Sequence, residues 1–287
     1  MAEKDIQEKV LMSHVDVFAD CVNVLMCDGQ KALHKKNLRP APTESFYRGK
    51  KRIRNQFCDK SYYRVGKGEI KSQYIIENET KLRRRQVLRK ASYQGGVYRE
   101  QMDGKKPVYP VICMVLDWTG KRTGIPRSLK ELTAGEDILP QEMQMMDDVM
   151  LTIYHMRNLS AETRERFTSD MGFVADYLNE GSFEKRREQK IVHVEELCEM
   201  MTALTGDTRF TEQVEELLDR QKEKEGVKMC EYIDMLEARG EEKGQIKGEN
   251  RLAGLIQLLL KDKRYGDIES VSVDSGKRQE LYRLYGI

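Results

Sequence analysis

Two short apolar runs constrain the fold most. Residues 108–117 (VYPVICMVLD) are rich in β-branched side chains and lie between Gly104 and Gly120. That length, composition and punctuation predict a strand. Residues 70–79 predict another, with Tyr74, Ile75 and Ile76 as its core and a turn at Gly66-Lys67-Gly68 before it. Between the two runs, residues 83–93 predict a helix with a very basic face, followed by Gly95-Gly96 and a further helical stretch to Met102. Residues 128–131 read as a turn, and 149–154 (VMLTIY) as a further strand. Strands and helices that alternate through residue 156 imply an α/β domain.

The flanks differ. Ile6, Val10, Leu11, Val15, Phe18, Val22 and Leu25 recur at helical spacing, which predicts a helix over 6–27 that ends near Asp28-Gly29. Residues 30–50 hold Pro40, Pro42 and Gly49 and predict a loop, while 51–65 fit either a helix or an extended segment. From 160 to 235 the periodicity is helical, with a break at Thr205-Gly206-Asp207 and no strand signal. Residues 237–250 are polar with glycines at 240, 244 and 248, each of which weakens a helix by about 1 kcal/mol, so a linker is expected there. An amphipathic stretch over 251–263 and a short helical tail over 276–285 close the chain. The expected domains are 1–157, an α/β core; 158–236, a helical region; and 237–287, a linker and helical tail.

Composition enters through charge. The formal net charge is +2, yet residues 48–90 carry 15 Lys and Arg against four Asp and Glu. That segment is +11 and the remainder −9, and a patch of this kind attracts polyanions even on a nearly neutral chain. Cys21, Cys27, Cys58, Cys113, Cys198 and Cys230 form no CxxC pair and read as reduced thiols rather than a disulfide frame or zinc site. His14, His34, His155 and His193 show no ligand spacing and read as surface or packing residues. No signal peptide or membrane-length apolar run is visible, so a cytoplasmic protein with no membrane partner is expected.

Side chains two apart on a strand share a face, so Glu77 and Glu79 point the same way at the end of an apolar run. Asp59 lies upstream and can bring a third carboxylate to the same point. Hard oxygen ligands of this type suit Mg²⁺ or Mn²⁺, and a metal-bound water is acidic enough to attack a phosphodiester near neutral pH. Three acids in some twenty residues also describe an ordinary solvated surface, and spacing alone leaves both readings open.

The arrangement of Asp59 with Glu77-x-Glu79, set among helix, hairpin, strand, basic helix and strand, resembles the PD-(D/E)XK restriction-endonuclease-like core. More narrowly, the chain resembles the bacterial Rpn family (recombination-promoting nuclease, or PD-(D/E)XK nuclease family transposase). The matching stretches are 17–23 (VFADCVN), 76–80 (IENET), 93–101 (YQGGVYREQ), 109–113 (YPVIC), 173–177 (FVADY), 204–210 (LTGDTRF) and 281–287 (LYRLYGI). The resemblance implies a metal-dependent DNA endonuclease linked to recombination or mobile elements. By it, Asp59 and Glu77 hold the metal, and Glu79 stands where the superfamily usually has Lys and this branch often Gln.

Glu79 then ligands the metal, acts as base on the attacking water, or marks an impaired enzyme; Arg83, Arg84 and Arg85 are the candidates to supply the positive charge in place of the lysine. With Arg89, these three arginines are the expected phosphate contacts, which carry salt-sensitive affinity without sequence information. Asp20 and Asn23 resemble the polar pair of the family's opening motif, and they and Tyr98 with Gln101 are candidate cleft residues. Two rival readings stay open. One is a non-catalytic DNA-binding protein that keeps the basic surface. The other is an interaction module that forms homo-oligomers through its C-terminal helices.

Overall fold

The computed structural model describes residues 10–48, 53–102, 107–121, 124–135, 137–223 and 226–287. A 3-10 turn at Leu11–Ser13 leads into α1 (Val15–Met26), which buries Val17, Phe18, Cys21 and Val22. The part of the expected first helix before residue 10 lies outside the described residues. The chain continues through β1 (Leu38–Pro40), β2 (Glu44–Arg48), β3 (Ile53–Phe57), β4 (Lys60–Gly66) and β5 (Glu69–Glu79). The segment 30–50, expected as a loop, therefore contributes strands, and of 51–65 the described residues, 53–65, are extended rather than helical. Pairing overrides the proline signal: β1 lies antiparallel to β4 at the sheet edge, and Pro40 ends it, where a missing N–H costs least.

The centre of the sheet follows from one turn. Lys67 and Gly68 take positive φ, +53° and +79°, as a two-residue hairpin with the twist of its strands requires. That turn sets β4 antiparallel to β5 with Lys60 opposite Ile76. From β5 the chain crosses through α2 (Gln86–Met102), one unbroken helix over Gly95-Gly96, to β6 (Val111–Asp117), which runs parallel to β5. The helix begins at Gln86, so Arg83, Arg84 and Arg85 lie in the connection before it, exposed.

After β6 come α3 (Leu129–Thr133), α4 (Pro140–Met145) and β7 (Ile153–His155), parallel to β6. Ser128, expected in a turn, caps α3 by accepting the Glu131 N–H at 3.1 Å. The final order is β1-β4-β5-β6-β7, a mixed five-stranded sheet in an α/β fold.

The remaining elements are α5 (Ala161–Glu165), α6 (Met171–Glu180), β8 (Lys190–Ile191), α7 (Val194–Thr205), α8 (Val214–Glu223), β9 (Val227–Lys228), α9 (Met229–Lys261), α10 (Tyr265–Val273) and α11 (Ser275–Tyr285). The small antiparallel pair β8–β9 interrupts a region expected to be all helical.

By packing, the chain divides into Met1–Met229 and Cys230–Ile287, whereas the sequence reading placed boundaries after 157 and 236. Asp20 shows why no break falls at 157. Its carboxylate accepts the N–H groups of Thr168 and Ser169, both at 2.8 Å, and both of their hydroxyls. A buried ionic knot holds α5 and α6: Asp176 accepts from Arg164 Nε at 3.0 Å and Arg186 Nε at 2.6 Å.

In the second unit, Leu255, Leu259, Val271, Leu281 and Tyr282 form an apolar cluster contributed by α9, α10 and α11. The expected linker at 237–250 is instead part of the continuous helix α9. That stretch is mostly exposed and polar, and pairs such as Arg239 with Glu242 at 2.7 Å supply local support. Among the described residues no helix is long and apolar enough to cross a membrane.

Candidate active site at the end of the central strand

Strand alternation and register build this site. Ile75, Glu77 and Glu79 share one face of β5, and that face meets α2: Ile75 packs with Tyr93, Cys58, Val111 and Cys113. Glu77 and Glu79 continue the row beyond the apolar cluster, and both are buried, 3% and 9% exposed. Asp59 stands between β3 and β4. Its N–H donates to Glu77 Oε1 at 3.0 Å, and its Oδ2 accepts the Asn78 N–H at 2.7 Å. Hydrogen bonds therefore tie Asp59 to two consecutive residues of β5.

Arg89, one turn into α2, closes the site. Its Nη2 donates to Glu77 Oε2 and to the Tyr93 hydroxyl, each at 3.0 Å, and its Nη1 donates to Glu79 Oε1. Gln86 Nε2 also donates to Glu79 Oε1, at 2.7 Å. Burial, reinforced by the Asp59 carboxylate, pushes the Glu77 carboxyl up to about 8, against the pull of Arg89. Burial opposes the charge on Arg89, but the Tyr93 hydroxyl and the two glutamates outweigh it and raise its affinity for the proton. Burial also lifts the neighbouring thiols Cys58 and Cys113 to about 12, so they are protonated bystanders.

The donor set suits a hard divalent cation: Asp59 and Glu77 offer carboxylate oxygens from adjacent elements. Gln86 Oε1, beside Glu79, is a buried polar atom with no hydrogen-bond partner among the described residues. In this arrangement the Arg89 guanidinium donates to both buried glutamates. Asp59, Glu77 and Glu79 do not bring three ligand oxygens within 4.8 Å of one another. Arg89 stands between the two glutamates, and one oxygen of Asp59 is engaged by the β5 main chain.

Other expected site residues fall elsewhere. Asp20 is consumed by Thr168 and Ser169, as above. Asn23 exchanges two hydrogen bonds with the main chain of Leu33, at 2.9 and 2.8 Å, and pins the loop after α1. Tyr98 accepts the Val111 N–H, and Gln101 accepts the Tyr109 N–H, both at 3.0 Å. Those contacts fix the start of β6, and Glu79 pairs with its end at Asp117. Six residues of strand separate the two ends by about 20 Å. All four residues thus make hydrogen bonds that hold the fold. Arg89 is turned inward, apart from the exposed Arg83, Arg84 and Arg85.

The structure adds one group at the same end of the sheet. Glu79, Asp117 and His155 stand in register on β5, β6 and β7. His155 Nδ1 lies 2.5 Å from Asp117 Oδ2, and Arg127 donates to His155 Nε2 at 2.7 Å, which leaves the ring proton on Nδ1. No spacing in the chain announces this trio; only the parallel register assembles it.

Comparison with protein-family models, curated proteins and solved structures finds no match to this chain.

Proposed function

We propose that this chain is a divalent-metal-dependent DNA endonuclease built on a PD-(D/E)XK-type core, as its resemblance to the Rpn family suggests. The observation that carries this reading is the reciprocal attachment of Asp59 to Glu77 and Asn78. It sets two carboxylate residues from neighbouring elements at one point, at the end of the central strand.

Asp59 and Glu77 would hold Mg²⁺ or Mn²⁺, which supplies an acidified water and neutralises charge on the phosphate. Glu79 has a different part from the one its position implies. It anchors Arg89 together with Gln86, and so holds a cation where the motif otherwise has lysine. An arginine there suits a phosphodiester, since its planar fork pairs with phosphate oxygens. The exposed Arg83, Arg84 and Arg85 follow directly from β5 and offer phosphate contacts without base readout.

One observation favours a second reading, DNA binding without cleavage: both glutamates are closed by Arg89. Plasmid nicking separates the two. Wild-type protein with Mg²⁺ or Mn²⁺ should nick supercoiled DNA, and Glu77→Gln should lose nicking by at least 100-fold while DNA retention in a gel persists. Retention without nicking in either ion rejects the enzyme and leaves the binding protein. Oligomerisation through the C-terminal helices is a separate proposal, tested by the sedimentation of full-length protein.

A further inference from the structure

Away from the glutamates, two helix starts carry the same pair of residue types. His14 is the N-cap of α1 and Asp16 lies in its first turn. His193 is the N-cap of α7 and Glu196 lies in its first turn. The fold brings the two starts together and crosses their partners. His14 Nε2 is 2.8 Å from Glu196 Oε1, and His193 Nε2 is 2.9 Å from Asp16 Oδ2. The two imidazoles stack with centroids 3.6 Å apart and 23° between their planes. Among the described residues, His14, His193 and Glu196 are the one trio of metal-capable side chains whose ligand atoms all lie within 4.8 Å of one another.

We propose that His14, His193 and Glu196, with Asp16 as fourth donor, form a binding site for a borderline transition-metal dication of the zinc class. The site staples the start of α1 to the start of α7. Two imidazole nitrogens with carboxylate oxygens are a zinc-type set, at bond lengths of about 2.0–2.2 Å. Imidazole suits zinc, copper, iron or nickel, whereas oxygen-only groups such as Asp59 with Glu77 suit magnesium or manganese. The two centres therefore select different ions, and this proposal does not depend on the nuclease reading.

Charge and access agree. With neutral imidazoles the four side chains sum to −2, which a dication cancels. Their side chains are 14–32% exposed, enough for an ion to enter from solvent without unfolding. Each histidine reaches the acid of the other helix, so one ion in the middle would join both helices rather than bridge within one. Rings that stack nearly parallel cannot both direct a lone pair at a single ion, so binding turns them apart.

The test uses full-length protein stripped with a chelator. Cobalt(II) is the spectroscopic probe, and zinc is the probe for stability. One equivalent of cobalt should give the visible bands of a four-coordinate site. Zinc at 100-fold its dissociation constant should raise the melting temperature by roughly 5 °C. His193→Ala and His14→Ala should weaken binding at least 100-fold and lose both signals, while Glu77→Gln keeps both. On the wild-type chain alone, zinc should protect His14 and His193 from diethyl pyrocarbonate, read by peptide mass, while His34 stays reactive. That measurement stands even if a variant fails to fold. Cobalt bands that persist in the histidine variants, an absence of bands in wild type, or unprotected His14 and His193 would each overturn the proposal.

Discussion

Arg89 reaches back from α2 to the carboxylate of Glu77, Nη2 to Oε2 at 3.0 Å, and through Nη1 it also holds Glu79. One guanidinium thus donates to two buried acids on the same face of β5. Removing it leaves both exposed to the cost of burial. Because Arg89 keeps 38% of its side chain in solvent, the loss is smaller than the 3–5 kcal/mol of a fully buried pair. Arg89→Met should destabilise the metal-free protein by about 2 kcal/mol in urea unfolding. If Asp59 and Glu77 take a divalent ion, millimolar Mg²⁺ should restore much of that stability in the variant and little in wild type. An equal effect on both proteins argues against an ion at this site.

The same carboxylate sets a pH dependence. Glu77 titrates near 8 in the folded chain against an ordinary 4.5. Between those values the native state holds a proton that the unfolded state has released, so stability falls as pH rises across that window. The slope from this group is at most about 1.4 kcal/mol per pH unit. Glu77→Gln should flatten it and melt higher than wild type at pH 8 without metal. Thermal melts from pH 5 to 8 read this directly, and an unchanged slope in the variant would assign the dependence to another group.

Glu77 was legible in the chain because two local signals agree on it: an apolar run that ends in acids, and period-two alternation. The central turn, the α2 crossover and β6 were legible for the same reason. What escaped was everything made by long-range assembly. Nothing local marks Arg89 as different from the three arginines before it; only its place one turn into α2 points it inward. Asp20 acts as a clamp that its sequence neighbours do not announce, because its four donors lie some 150 residues away. The repeated pattern of histidine followed by an acid two or three residues on, at 14–16 and 193–196, was visible in principle. Its meaning depends on two helix starts meeting, which no spacing shows.

Asp176 gives a prediction about the helical part of the first unit. It is 2% exposed and neutralises two arginines that are themselves almost fully buried. Asp176→Ala leaves Arg186 uncompensated and Arg164 with only Glu180, and should cost about 3–5 kcal/mol. Gly172→Ala should injure the same knot from outside. A Cβ there would clash with the Arg186 guanidinium, which is held by Asp176, the Phe167 carbonyl and the Arg164 carbonyl. The side chain cannot swing away without breaking those bonds. Both variants should show a lowered urea midpoint, and a Gly172→Ala protein as stable as wild type would mean that the knot is loose.

The glycines of α9 test whether 237–250 is helix or linker. Gly244 and Gly248 have open space where a Cβ would stand, so alanine meets no clash at either. In a helix, alanine is favoured over glycine by about 1 kcal/mol per site, through lower backbone entropy in the unfolded chain. The double variant Gly244→Ala, Gly248→Ala should therefore stabilise α9 by about 2 kcal/mol and slow amide exchange through 240–250. Gly244→Pro should do the reverse, since it removes a hydrogen bond and clashes with the preceding turn. Hydrogen exchange resolved by peptide measures all three. If neither alanine changes protection there and proline is tolerated, the segment behaves as the linker that its composition suggests, and the continuous helix is wrong.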